Sequence, residues 1–307
     1  MTNLLLDELV AMNRPEQFQL LEDAIGVFTA SPAVTRLLVS GSLATGTADR
    51  LSNVDLMVSV VDDDYTDFIS VLDALMMAEL HAIMPGWRDA SGDDVGGLGY
   101  VYLVACQERL RQLDVRVVPE SRLAESAVSA RTVFTRADAD VSLSSQVVMA
   151  FIARTAAQAR TCRELIIEIM VLGFLVHKRV TRRQRFSAYR ENHMFNAAVK
   201  NLIKTALAPD SCDDSWHRLH AEVGSTPIGK TCLADLDAVI SGPAVPTIES
   251  LGHNIGRALA LAERAAPEAV EALRKPIDAF LEYLELQDHL AQPPVGQSEL
   301  EFKALRS

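Results

Sequence analysis

Cysteine is scarce: four in 307 residues are too few for a disulfide scaffold. Cys106, Cys162, Cys212 and Cys232 also lack the paired short spacing of a zinc site, so reduced, buried thiols are expected. Basic residues are outnumbered, 29 Lys and Arg against 41 Asp and Glu, for a net charge of -12 at pH 7. A general nucleic-acid binder needs a basic surface that displaces counterions, so that class is set aside. Long apolar runs are missing as well. The longest, Leu165 to Val176, is too short to span a membrane, and Glu168 interrupts it. The first ten residues have no basic stretch and carry Asp7 and Glu8, which argues against a secretory leader. The expectation is a cytoplasmic protein with neither membrane nor nucleic-acid partner. With 49% hydrophobic residues, the chain can build a substantial core in one large domain or two modest ones.

The first half alternates helical and extended patterns. Leu4 to Met12 and Pro15 to Thr29 have helical periodicity, as does Tyr65 to Leu80 through Phe68, Ile69, Leu72, Leu75 and Met76. Arg36 to Ser40, Val54 to Val61, Tyr100 to Ala105 and Leu113 to Val118 read as strands, the last two as a hairpin across Cys106 to Arg111. Pro85 to Gly99 reads as a glycine-rich loop. From Ser145 the pattern is helical: Val147 to Lys178 as one or two helices, then Asn192 to Leu207, Asp213 to Val223, Leu233 to Ile240, Thr247 to Ala266 and Pro267 to Leu290. Pro293 to Ser307 reads as a polar tail. The expected fold is α+β: a small mixed sheet with flanking helices over residues 1–140, followed by an all-α bundle over 141–307.

The stretch from Val39 to Val58 is the informative one. A strand ends in Gly41-Ser42, a turn of small residues follows, and a second strand opens with Asn53 and Asp55. Alternation puts these two on one face, with Val54, Leu56 and Val58 on the other. Asp114 lies in Leu113-Asp114-Val115-Arg116-Val117-Val118 with the same alternation. An acid inside such a run is costly if buried without a partner, and a metal ion is one such partner. An ordinary strand–turn–strand, with Asp114 paired to Arg116, is the plain alternative.

These residues resemble the signature of the polymerase β nucleotidyltransferase superfamily: Gly-Ser, a spacer, Asp-x-Asp, and a third carboxylate on a later strand. The small-molecule branch, acting on aminoglycoside and lincosamide antibiotics, is similar in style and also continues into a helical domain. The resemblance implies Mg2+-dependent transfer of a nucleoside monophosphate, AMP from ATP, to a hydroxyl of a small molecule. Asn53, Asp55 and Asp114 would hold metal, and Gly41 and Ser42 would cradle phosphates. Two metals about 4 Å apart can activate the attacking oxygen and neutralise the leaving one. The Gly41-Ser42 turn offers close backbone approach, an N–H and a hydroxyl.

One position departs from the pattern: Asn53 stands where the family has its first aspartate. An amide oxygen can touch a metal but brings no charge. A slow or one-metal enzyme, a pseudo-enzyme that keeps the pocket, a repurposed site in small-molecule biosynthesis and an engineered substitution all remain open. Glu164 and Glu168, one helical turn apart, are the candidates for the acceptor base that this branch takes from its helical domain. A plain ion pair with Arg160 or Arg163 is the favoured alternative for them. The basic stretch Lys178 to Arg185 could neutralise a triphosphate, although such runs are more often solvated. Trp87 could stack on a base, with core packing the favoured alternative. His217 and His220 lack a third ligand.

Overall fold

The computed structural model describes residues 17–90, 96–106, 108–126, 130–137, 145–210 and 215–291. The helix expected at Leu4 to Met12, most of the glycine-rich loop's acidic part, Cys212 and the polar tail lie outside the described residues. The fold class is α+β, a six-stranded mixed sheet with a helical C-terminal region.

The first core forms because one face of every central strand is aliphatic. Helix α1 (Phe18–Ala30) leads into β1 (Val34–Ser40), the one-turn α2 (Gly41–Thr45) and β2 (Val54–Val60), and then α3 (Tyr65–Glu79). Strands β3 (Trp87–Asp89), β4 (Leu98–Cys106) and β5 (Arg109–Pro119), the short α4 (Leu123–Ser126) and β6 (Arg131–Thr135) complete the sheet, ordered β3-β4-β5-β2-β1-β6. Among the described residues only β2 and β5 pair in parallel; the other ladders are antiparallel. Val54, Leu56, Val58, Val60, Leu113, Val115 and Val117 are all at most 2% exposed and pack on Leu21, Phe28, Phe68, Leu72 and Met76 of α1 and α3.

Two strands were not foreseen. β3 falls inside the segment read as loop, because three residues carry too little alternation to register. β6 falls in the stretch between Pro119 and Ser145. Its register with β1 also shifts between Leu37 and Leu38.

The remaining helices are α5 (Ser145–Ala156), α6 (Cys162–Thr181), α7 (Arg185–Leu207), α8 (Leu219–Val223), α9 (Pro227–Ile240), α10 (Ile248–Ala265), α11 (Pro267–Ala272) and α12 (Arg274–Ala291). Among the described residues no strand occurs beyond Thr135. Helix α5 does not join the others: Val148 and Ile152, one turn apart, insert into the first core, and Phe151 meets Tyr65 edge-on at 6.3 Å. The expected boundary near residue 140 therefore cuts off a helix that belongs with the sheet's core.

Helix α6 organises the second core. Its N-terminus is a capping box: Thr161 Oγ1 accepts from Glu164 N (3.2 Å), and Glu164 Oε2 accepts from Thr161 N (2.7 Å). Leu165 through Lys178 are all buried, the mark of a helix packed on every side. Each Leu or Ile so buried contributes roughly 1.5–3 kcal/mol before entropy. α6 also covers Trp87, Val101, Leu103 and Leu110 on the second face of the sheet. That face is thus covered in part, over Trp87, Val101, Leu103 and Leu110. Among the described residues no helix is long and apolar enough to cross a membrane.

Candidate active site

At the border between the part of this face covered by α6 and the uncovered part, the polar residues of the motif meet. Asp55 and Asp114 are direct partners on the parallel strands β2 and β5, and Ser40 is the partner of Asp55 on β1. A shared rung fixes a shared face, so both carboxylates point the same way. They reach a cleft of about 280 Å³ that Ser40, Asp89 and Arg116 also line.

Gly41 sits against this pair. Its φ is +65°, a region costly to residues with a side chain, and a Cβ there would lie 2.1 Å from Asp55 Oδ2. Only glycine lets the chain turn from β1 into α2 while touching the carboxylate. Ser42 follows in the first turn of α2, half-buried, with its carbonyl accepting from Thr47 N at 3.0 Å.

Asn53 bridges the acids. Its Nδ2 donates to Asp55 Oδ1 and to Asp114 Oδ2, each at 2.6 Å. Gln112 Nε2 donates to both oxygens of Asp114 at 2.7 and 2.9 Å, and Gln112 Oε1 accepts from Lys178 Nζ. A continuous chain of hydrogen bonds therefore runs Lys178–Gln112–Asp114–Asn53–Asp55. It joins the end of α6 to the centre of the sheet.

The electrostatics follow from burial. Burial and then the neighbouring Asp114 charge push the Asp55 carboxyl up to about 7, against the pull of Lys178 and the Asn53 amide. Asp114 is raised too, by burial, and the Gln112 hydrogen bonds and the Lys178 charge hold it partly down. Burial lowers the Lys178 ammonium to about 8, although Asp114 attracts it.

The segment before Asn53 is tied in place. Asp49 Oδ1 accepts from Leu51 N (2.9 Å), Asp49 N donates to Ser52 Oγ (2.9 Å), and Gln17 Nε2 donates to Asp49 O (2.6 Å). Arg182 at the C-cap of α6 pairs with Asp49 and donates to Ser52 Oγ at 3.0 Å. Against the cost of burial, Arg182 holds the Asp49 carboxyl below its usual range.

Gly41, Asn53, Asp55 and Asp114 thus come together, and two other candidates are engaged elsewhere. Glu164 closes the capping box, and Glu168 pairs with Arg160. Glu168 lies ten residues before Lys178, about 15 Å along the helix axis. Burial raises its carboxyl, only partly offset by Arg160. The basic stretch is not simply solvated either: Lys178 is 4% exposed and Arg179 binds Glu191 at 3.0 Å. Sequence reasoning missed Gln112 and undervalued Lys178. The parity of Gln112 with Asp114 was the available signal for the first, and nothing local signalled the second. Trp87 packs into the second core.

The residues fit a divalent cation in donor chemistry. Two carboxylates and the Asn53 amide, turned so that Oδ1 faces inward, offer three oxygens of the kind Mg2+ prefers, with one charge fewer than three acids would bring. Among the described residues no group of three or more His, Cys, Asp or Glu could hold a metal, so the amide is required. No family model matches the chain, and no curated protein matches it.

Proposed function

We propose that the protein is a nucleotidyltransferase-like enzyme that transfers a nucleoside monophosphate, AMP from ATP, to a hydroxyl of a small molecule. The observation that carries this reading is the rung pairing of Asp55 with Asp114 beside a glycine that only Gly41 can be. A merely structural acid pair would not need a backbone turn pressed onto one of its carboxylates.

Asp55, Asp114 and Asn53 Oδ1 would hold Mg2+, which when bound neutralises charge on the reacting phosphate and the leaving pyrophosphate. Gly41 and Ser42 would contribute backbone N–H and hydroxyl contacts to the phosphates. Lys178, through Gln112, orients Asp114 and adds positive charge beside the phosphates. Glu164 and Glu168 do not serve this scheme as acceptor base, since each is committed to a contact away from the acids. The acidic, cysteine-poor composition suits a cytoplasmic setting.

A second reading has its own support. Asn53 donates into the space between the acids and Lys178 supplies a cation, so the group is partly neutralised from within. That suits a protein that binds a nucleotide without turning it over.

The test is pyrophosphate release with each nucleoside triphosphate, Mg2+ and a panel of hydroxyl acceptors, on wild type and Asn53→Asp. Transfer reading: release depends on Mg2+ and acceptor and rises in Asn53→Asp. Saturable nucleotide binding with no release in either protein favours the second reading. Absence of nucleotide binding from both removes the two together.

A further inference from the structure

Where α6 turns into α7, two aromatic rings stand in the open. Phe186 is 90% exposed and Tyr189 55%. They are three residues apart at the start of α7, so they share one face of it. Opposite them stand Pro243, Ala244 and Val245, on the turn between α9 and α10. Asn192 Nδ2 donates to Ala244 O at 3.2 Å, which fixes the spacing between helix and turn. The result is a groove of about 510 Å³ with Arg185 at its edge. Arg183 and Arg190 are exposed beside it, two residues before Arg185 and one after Tyr189. Arg183 has a φ of +56°, a left-handed conformation that glycine would adopt more cheaply. An arginine placed there at a backbone cost points to a use for its guanidinium.

An aromatic groove rimmed by guanidinium groups recognises an acidic segment that also carries apolar side chains. The rings take the apolar groups, and the arginine forks take the carboxylates. A flat lipid surface would reach Phe186 but leave the concavity unfilled. A symmetric pair of copies joined here would set arginine against arginine. The chain itself supplies a segment of the right kind, Glu299-Leu300-Glu301-Phe302. Along an extended chain successive side chains face opposite ways. Leu300 and Phe302 can then enter the groove while Glu299 and Glu301 stay at its rim, within reach of the long arginine side chains. Reach is sufficient as well. Phe302 lies eleven residues beyond Ala291, the last residue of α12, and that length spans up to about 36 Å. Helix α12 packs through Ile277, Phe280 and Leu284 into the same core as Phe195, Ala198 and Val199 of α7. A tether this short gives an effective concentration in the millimolar range, so a contact of a few side chains is enough for occupancy.

We infer that this groove is the docking site of the chain's own Glu299 to Phe302 segment. The inference stands without the transfer reading. Its consequence for the acids runs through the α6–α7 turn, which a docked segment braces. Arg182 in that turn pairs with Asp49, in the segment that presents Asn53.

Photo-cross-linking of the full chain tests the docking. Phe186→p-benzoylphenylalanine keeps an aromatic ring at a position that is 90% exposed, so the fold is not challenged. The protein is irradiated when dilute, and the joined peptides are mapped by mass spectrometry. The expected product is a link within one chain from position 186 to residues 299–302. Glu299→Lys combined with Glu301→Lys is expected to lower its yield about tenfold, the value of lost charge-assisted contacts. If that chain does not fold, Phe302→Ala makes the same comparison and should lower the yield as much. A yield unchanged in these variants overturns the inference, as does a link to any other part of the chain. A link between two copies gives the groove to a second copy and overturns it too. So does the absence of any link, and if the protein then floats with phosphatidylserine vesicles, the exposed rings serve a lipid surface instead. Neither nucleotide nor metal nor turnover enters the measurement, so its failure leaves the transfer reading as it was, and the failure of that reading leaves the docking as it was.

Discussion

Asp55→Asn should stabilise the metal-free protein, and the gain should grow with pH. The carboxyl is raised from 3.8 to about 7, by burial first and the Asp114 charge second. A folded pKa above the unfolded one means that the native state prefers the protonated acid. The stabilising contribution is full below 3.8 and is lost as pH rises through about 7. Above that pH the ionised pair costs the fold on the order of 4 kcal/mol, at 1.36 kcal/mol per pKa unit. Asparagine removes this cost and still accepts from Asn53 Nδ2. Its own NH2 can turn to Asp114; the attraction to Lys178 is already contained in the raised value, and with about half of the cost recovered by an amide that fits the site less well than the acid, a net gain of roughly 2 kcal/mol is expected. For a chain of this size that is about 4–8 °C in melting temperature. Melts in EDTA at about pH 4 and about pH 8 measure it, with the difference between variant and wild type small at the lower pH and clear at the higher. The same variant should lose the stabilisation that Mg-nucleotide gives wild type. A variant that melts lower than wild type at about pH 8, with its nucleotide response intact, would refute the reasoning. Asp55 would then be a structural acid.

Lys178→Met removes a buried ammonium that competes with any divalent cation for Asp55 and Asp114. Mn2+ affinity, read by electron paramagnetic resonance on the metal alone, should rise about tenfold, and an unchanged or weaker affinity contradicts the competition. Gly41→Ala forces a Cβ to within 2.1 Å of Asp55 Oδ2 at a φ of +65°. It should cost about 2 kcal/mol in urea unfolding and abolish Mg-nucleotide binding together, whereas loss of stability alone would separate the turn from the site. Glu168→Gln should be neutral or slightly stabilising at neutral pH, because burial already opposes its charge. Arg160→Ala, which strands that carboxylate, should cost about 1–3 kcal/mol in the same assay, and the opposite ranking would show that the ion pair is a net stabiliser.

The central strands were legible in sequence because each is long enough to alternate. The Leu113 to Val118 run carries its one acid at a position whose neighbours are all aliphatic, and β2 does the same with Asp55. Pairing parity then needed only the parallel register of β2 with β5 to bring the acids onto one rung. Other features are written in non-local contacts. β3 is three residues long, and its strand character comes from β4 beside it. α5 looked like the start of a helical half because helical periodicity says nothing about which core a helix enters; Val148 and Ile152 are read correctly only beside Tyr65 and Phe151. Thr161-Cys162-Arg163-Glu164 was a legible capping box, and reading it would have drawn Glu164 away from the catalytic candidates.

Lys178 illustrates why charge runs mislead. It belongs by sequence to a basic stretch, yet it closes a helix whose preceding thirteen residues are all buried. The stem of a lysine can pass through an apolar core only if its ammonium finds partners at the far side. Here Gln112 accepts from it, and Asp114 lies one residue further along the chain of hydrogen bonds. The packing of α6 and the chemistry of the acids are therefore not separable. A change that shifts α6 along its axis moves the cation first. The short reach from Gln112 to Asp114 carries that movement to the carboxylates, and the Arg182 contact to Asp49 and Ser52 carries it to the segment that presents Asn53. Both links leave the last turn of α6 within five residues of each other, so the helix and the motif are held as one unit from two sides. Asn53 is the point where the two links meet. An aspartate there would exchange a donor to the acids for a third negative charge, which the single ammonium of Lys178 could not balance. The asparagine is thus consistent with its surroundings in the absence of metal, and the cost of restoring aspartate is a site that needs a divalent cation to be stable.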